Sequence, residues 1–134
     1  MMLLDTVVLS ELRKSHPSPK VLAWLKKQPA EQLFISVVSL GEIERGIAKA
    51  RKADAAFAAR LADWLKDTVL LYGDHILPIT AAIARRWGRL SAELGHEGAD
   101  LLIAATALEH GLTVATRNVR HFKPSGVALV NPFS

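Results

Sequence analysis

"GADLLIAATALEHGLTVAT", residues 98–116, sets a helix and a strand in direct succession. Between Ala99 and Leu108 only Asp100 and Thr106 break an otherwise apolar run. A helix apolar nearly all round has no solvent face and belongs inside the molecule. Gly111 is placed to end it, because glycine enters left-handed backbone without a Cβ clash. "LTVAT", 112–116, then reads as a strand. The stretch therefore predicts a buried helix feeding a sheet.

The flanking sequence repeats this alternation. Met1–Leu4 read as a short buried strand ending on Asp5, and Val8–Lys14 as a helix stopped by "HPSP". A helix over Pro19–Lys27 follows, then a second buried strand, "LFISV", 33–37. Ser39 is expected to start a helix that carries Ile43 and Ile47 on one side. A long helix over Ala53–Leu71 places Phe57, Leu61, Trp64 and Leu65 at helical spacing. "HILPI", 75–79, reads as a strand, and Thr80 as the N-cap of a helix reaching Leu94. "VALV", 127–130, is a last extended piece. Strands alternating with helices predict an α/β fold: a three-layer α/β/α sandwich with a central, mostly parallel sheet. The 134 residues suit a single domain over 1–134.

Composition narrows the function. Half the residues are hydrophobic, enough for a core, yet none of the apolar runs approaches the roughly 20 residues of a membrane span. No basic-then-apolar signal segment opens the sequence. Cysteine is absent, which excludes disulfides, thiolate metal sites and cysteine nucleophiles and fits the cytoplasm. A net charge of +4 favours a polyanionic partner.

Ligands of parallel sheets sit beyond the carboxyl ends of the strands. Asp5 ends the first strand, and Thr116, Arg117 and Asn118 end "LTVAT". Asp100 opens the buried helix, and Glu42 lies one turn into the helix after the second strand. Each has a plain structural reading. Asp5 suits a helix N-cap. Ser39–Leu40–Gly41–Glu42 fits a capping box, S-x-x-E. Asp100 complements a helix N-terminus, and Asn118 suits a turn. Together they have another reading. Three carboxylates and an amide without a fixed cationic partner form an oxygen-rich site for a hard divalent cation. Mg²⁺ or Mn²⁺, as one or two ions, fits that donor set. Asp5 and Asp100 are the expected direct ligands, joined by Glu42 and Asn118 directly or through water. Thr6 and Thr116 are candidates to orient the carboxylates, and Arg117, Arg120 and Arg45 to meet a phosphate backbone.

"LLDTVVLSEL" (3–12), "ISVVSLGEIERGI" (35–47), "GADLLIAATALEHGLTVATRN" (98–118) and "HF…GVALVNPF" (121–133) together resemble PIN-domain proteins, most closely the VapC/FitB-type toxins of toxin–antitoxin pairs. The resemblance runs nearly end to end. It implies a metal-dependent endoribonuclease that leaves a 5′-phosphate and a 3′-hydroxyl. It carries over Asp5, Glu42 and Asp100 as the acidic triad and Asn118 as the fourth polar position. It also implies a homodimer and a cognate antitoxin inserting near the acidic site. Two positions depart from the family pattern: Val7 stands where relatives usually have Asn, and His121 where many have an acid.

Other functions remain open at this stage. An aspartyl phosphatase would use Asp5 as nucleophile, but it wants a second Asp where Val7 stands. A catalytically inactive PIN-like module would bind RNA or an antitoxin-like partner. A purely structural role would leave the carboxylates as caps. Trp24, Trp64 and Trp87 read as core or interface anchors, and the 6% aromatic content points to a structured RNA such as tRNA rather than extended single-strand stacking.

Overall fold

The computed structural model describes all 134 residues, Met1–Ser134. Five strands are present: β1 (Met2–Leu4), β2 (Leu33–Ser36), β3 (Ile76–Leu77), β4 (Thr113–Ala115) and β5 (Leu129–Val130). They form one sheet in the order β3-β2-β1-β4-β5, and every pairing is parallel. The expected "mostly parallel" sheet is thus parallel throughout. The register sets Leu3 opposite Phe34 on one side and Val114 on the other.

Seven α-helices cover the sheet: α1 (Thr6–Glu11), α2 (Pro19–Lys26), α3 (Val37–Ala53), α4 (Ala55–Tyr72), α5 (Ala81–Leu94), α6 (Ala99–His110) and α7 (Val119–Phe122). None is long and apolar enough to cross a membrane. Strand side chains alternate between faces, and two cores follow from that. Leu4, Ile35 and Ala115 pack with Val8, Ile43 and Leu61 of α1, α3 and α4. Leu3, Leu77 and Val114 pack with Ile103, Ala104 and Phe122 of α6 and α7. The three layers are those expected. The helix opened by "GADLL" is buried along Leu101 and Ile103–Ala107, and Gly111 ends it at φ +66°.

Two local expectations are corrected. The helix after β2 begins at Val37, not Ser39, because Ser36 is its N-cap and accepts from the Val38 N–H at 3.0 Å. The capping box at Ser39–Glu42 therefore does not form; both residues lie within α3. The first helix begins at Thr6 rather than Val8, since Asp5 caps it by accepting from the Thr6 N–H at 2.8 Å. Glu11 ends that helix. Its carboxylate takes Lys14 at 2.8 Å and the Ser18 N–H at 2.9 Å, tying α1 to the turn before α2. These partners, Lys14 first, hold the Glu11 carboxyl below its usual range.

Candidate active site

The strand order reverses between β1 and β4. The chain lays β2 and β3 to one side of β1 and then returns to place β4 on the other. At such a switch point the loops beyond the strands diverge and leave a crevice. Asp5 follows β1 there, and Thr116 follows β4.

Asp5 is 2% exposed. Its N–H donates to the Ala115 carbonyl at 2.9 Å, which extends the β1–β4 ladder by one bond. Its Oδ1 accepts from the Thr6 N–H at 2.8 Å, and its Oδ2 from the Thr116 hydroxyl at 2.7 Å. The cap reading of Asp5 is therefore correct, and it does not exhaust the residue. Burial pushes its pKa from 3.8 up to about 6. The Thr116 and Thr6 hydrogen bonds oppose that rise, and the nearby charges of Asp100 and Glu42 add to it. Two further carboxylates are thus close enough to be felt by Asp5.

Glu42 projects from the second turn of α3 and is exposed. The Thr6 hydroxyl lies 2.6 Å from Glu42 Oε1 and 2.8 Å from Ser39 Oγ. With one proton, Thr6 donates to the carboxylate and accepts from Ser39. Ser39 is fully buried and acts through this bridge; its reading as a helix start had hidden it. Gly46 is not required for space, because a Cβ there would meet nothing within 4 Å.

Asp100 sits in the first turn of α6 with its side chain 28% exposed. Glu42, Asp100, Arg120, His96 and His121 line one cavity of about 490 Å³. Asp100 is not without a basic neighbour, contrary to what the sequence suggested. The His121 Nδ1 lies 3.4 Å from its Oδ2. His121 belongs to α7, a helix absent from the sequence reading; four residues are too few to show a period.

Asn118 precedes α7, and its N–H donates to the Thr116 hydroxyl oxygen at 2.9 Å. Thr116 is thus bonded on both sides, to Asn118 and Asp5. Arg117 turns outward and lies over the Phe133 ring, 3.8 Å from its centroid. Arg45 is not among the residues lining the acidic cavity.

The donor chemistry fits a hard cation: a buried carboxylate feels the charge of two others, and no lysine or arginine forms an ion pair with any of them. No three acidic or imidazole side chains are close enough to enclose an ion as they stand.

Comparison with known proteins places this geometry in a family. Residues 2–125 match the model of the PIN domain. The chain is 35% identical to the VapC ribonuclease Y4jK of Sinorhizobium fredii, covering 99% of this chain and 98% of that protein. It is 33% identical to the toxin FitB of Neisseria gonorrhoeae, covering 99% of both. The crystal structure of FitAcB from Neisseria gonorrhoeae superposes with a TM-score of 0.87 at 33% identity, over 99% of both chains. An acidic site at the switch point of a parallel five-stranded sheet, matched over nearly the whole sequence, makes this chain a member of the PIN domain family, with VapC- and FitB-type toxins among its relatives.

Proposed function

We propose that this PIN domain, spanning 1–134, is a Mg²⁺- or Mn²⁺-dependent endoribonuclease and the toxin of a toxin–antitoxin pair. The observation that carries the reading is Asp5, a carboxylate buried at the end of β1 against the like charges of Asp100 and Glu42. Ionising all three together is costly unless a cation is shared among them. The relatives named VapC ribonuclease and toxin FitB support the activity and the toxin role.

Asp5, Asp100 and Glu42 would hold one or two ions. Bound there, a divalent ion would supply an activated water and neutralise charge on the attacked phosphate. Thr116 and the Thr6 N–H hold the two oxygens of Asp5, and the Thr6 hydroxyl holds Oε1 of Glu42, which fixes both carboxylates in place. Arg120 lines the cavity and is suited to a phosphate oxygen. Hydrolysis breaks a P–O bond of the RNA backbone and leaves a 5′-phosphate and a 3′-hydroxyl. Asn118 sits beside Thr116 as a polar group at the same rim. The substrate is a structured RNA such as tRNA. The protein works in the cytoplasm as a homodimer, held inactive by an antitoxin that inserts near the carboxylates. Solved relatives described as FitAB and VapBC assemblies support that partner.

Calorimetric titration with Mn²⁺ tests the site. Wild-type protein binds the ion, and Asp100→Asn, folded equally well, binds it far more weakly. Equal binding by the two proteins would remove Asp100 from the ligand set.

A second reading has one observation in its favour. His121 occupies the approach to Asp100 and weakens its claim on a cation. On that reading the domain binds RNA or an antitoxin-like protein without cutting.

A further inference from the structure

At the far end of α1 from Asp5 lies a cavity of opposite character. The guanidiniums of Arg13 and Arg60 both lie over the Phe57 ring, 5.4 and 5.9 Å from its centroid. Arg13 follows α1, whereas Phe57 and Arg60 belong to α4, so tertiary packing brings the two arginines together. With Lys14, Ser15 and Trp64 they line a cavity of about 240 Å³ that holds three cations and no carboxylate. Lys14 is paired with Glu11, but neither arginine is in an ion pair.

Two unpaired guanidiniums around one ring repel each other, and an anion between them would relieve it. An inorganic anion would leave the ring and Trp64 unused. A nucleotide uses all of it: its phosphate meets the arginines, and its base stacks on an aromatic or guanidinium plane. An acidic peptide would use the charges but not the flat faces. Asp5 precedes α1 and Arg13 follows it by two residues, and the six residues of the helix span roughly 9 Å at about 1.5 Å each. Arg117, next to Thr116, is exposed and near enough for its charge to be felt by Glu11, the partner of Lys14. The acidic rim and this basic cavity therefore lie at opposite ends of one short helix.

We infer that the Arg13–Phe57–Arg60 cavity is a second RNA subsite, holding a phosphodiester and its base away from the bond that is cut. It rests on the ribonuclease reading. It supplies grip, not chemistry.

The test is anisotropy of fluorescein-labelled bulk tRNA in EDTA, across a salt series. Wild type is compared with Arg13→Gln/Arg60→Gln, with Phe57→Leu, and with a charge-matched control at the end of α3, Arg51→Gln/Lys52→Gln. The arginine pair is expected to weaken binding about tenfold and lower the salt slope by about 1, as for one phosphate no longer neutralised. Phe57→Leu weakens binding with the salt slope kept. The control stays within about twofold, acting only through the screened field. In cleavage assays the arginine pair raises KM and leaves kcat unchanged. Equal losses in the arginine pair and the control would overturn the subsite. So would unchanged tRNA binding with weakened capture of the antitoxin, which would assign the cavity to an acidic protein segment. Wild type that neither binds nor cleaves tRNA would remove the ribonuclease reading and the subsite together, whereas active wild type with unaffected variants would remove the subsite alone.

Discussion

The Thr116 hydroxyl donates to Oδ2 of Asp5 at 2.7 Å, joining residues 111 positions apart in the chain. The bond lies where β1 and β4 end side by side, at the reversal of strand order. It holds a carboxylate that burial alone would prefer neutral. The site is thus built against local stability, as functional carboxylates often are.

Asp5→Asn is expected to stabilise the fold while abolishing metal binding. The folded carboxyl titrates near 6 and the unfolded one near 3.8. Below 3.8 both states are protonated. As pH rises from 3.8 through 6 the unfolded state releases its proton first, so stability falls. At about 1.36 kcal/mol per pH unit the ionised group costs about 3 kcal/mol above pH 6. Urea unfolding at pH 7.5 should find the variant more stable by about 1–3 kcal/mol, with that pH dependence gone. Because Asn caps as well as Asp, a variant less stable than wild type would contradict a carboxylate held at a cost by burial.

Thr116→Val removes the hydroxyl that opposes the rise in the Asp5 pKa. Metal affinity or activity should fall roughly 10- to 100-fold, the usual cost of losing a partner of a ligand. Thr116→Ser should restore most of it. A Mn²⁺ titration of cleavage rate separates the two variants, and identical curves for both would deny Thr116 its role.

His121→Asp places a carboxylate beside Asp100, where imidazole now sits at 3.4 Å. Cation affinity rises with the charge of the donor set. Calorimetry should find Mn²⁺ bound about tenfold more tightly than by wild type. Unchanged affinity would place His121 outside the metal's reach.

Ile103→Ala tests the central helix. Ile103 is fully buried in the core beneath β1 and β4. The loss should be about 2–5 kcal/mol by chemical denaturation. A loss under about 1 kcal/mol would contradict a close-packed interior there.

Much of this was legible in the sequence, and the reasons differ by element. The layered fold followed from one all-apolar helix and from apolar runs short enough to be strands. Asp5 and Asp100 stand out because an acid beside apolar residues needs a reason to be there, and Glu42 because it lies one turn into the helix after the second strand. The role of Ser39 is hidden because S-x-x-E also spells a capping box, whereas Ser36, three residues earlier, takes the cap. His121 was not placed, since its approach to Asp100 depends on how α7 packs on α6. The Arg13–Arg60 pair was likewise out of reach. It joins α1 to α4 across a tertiary contact, and no spacing along the chain encodes it.

The most direct measurement is cleavage of bulk tRNA by antitoxin-free protein with Mg²⁺ or Mn²⁺, beside a chelator control and Asp100→Asn. Discrete fragments are expected with wild type, and they should vanish in both controls. Fragments that persist in the variant, or no cleavage by folded wild type with metal bound, would contradict the ribonuclease reading.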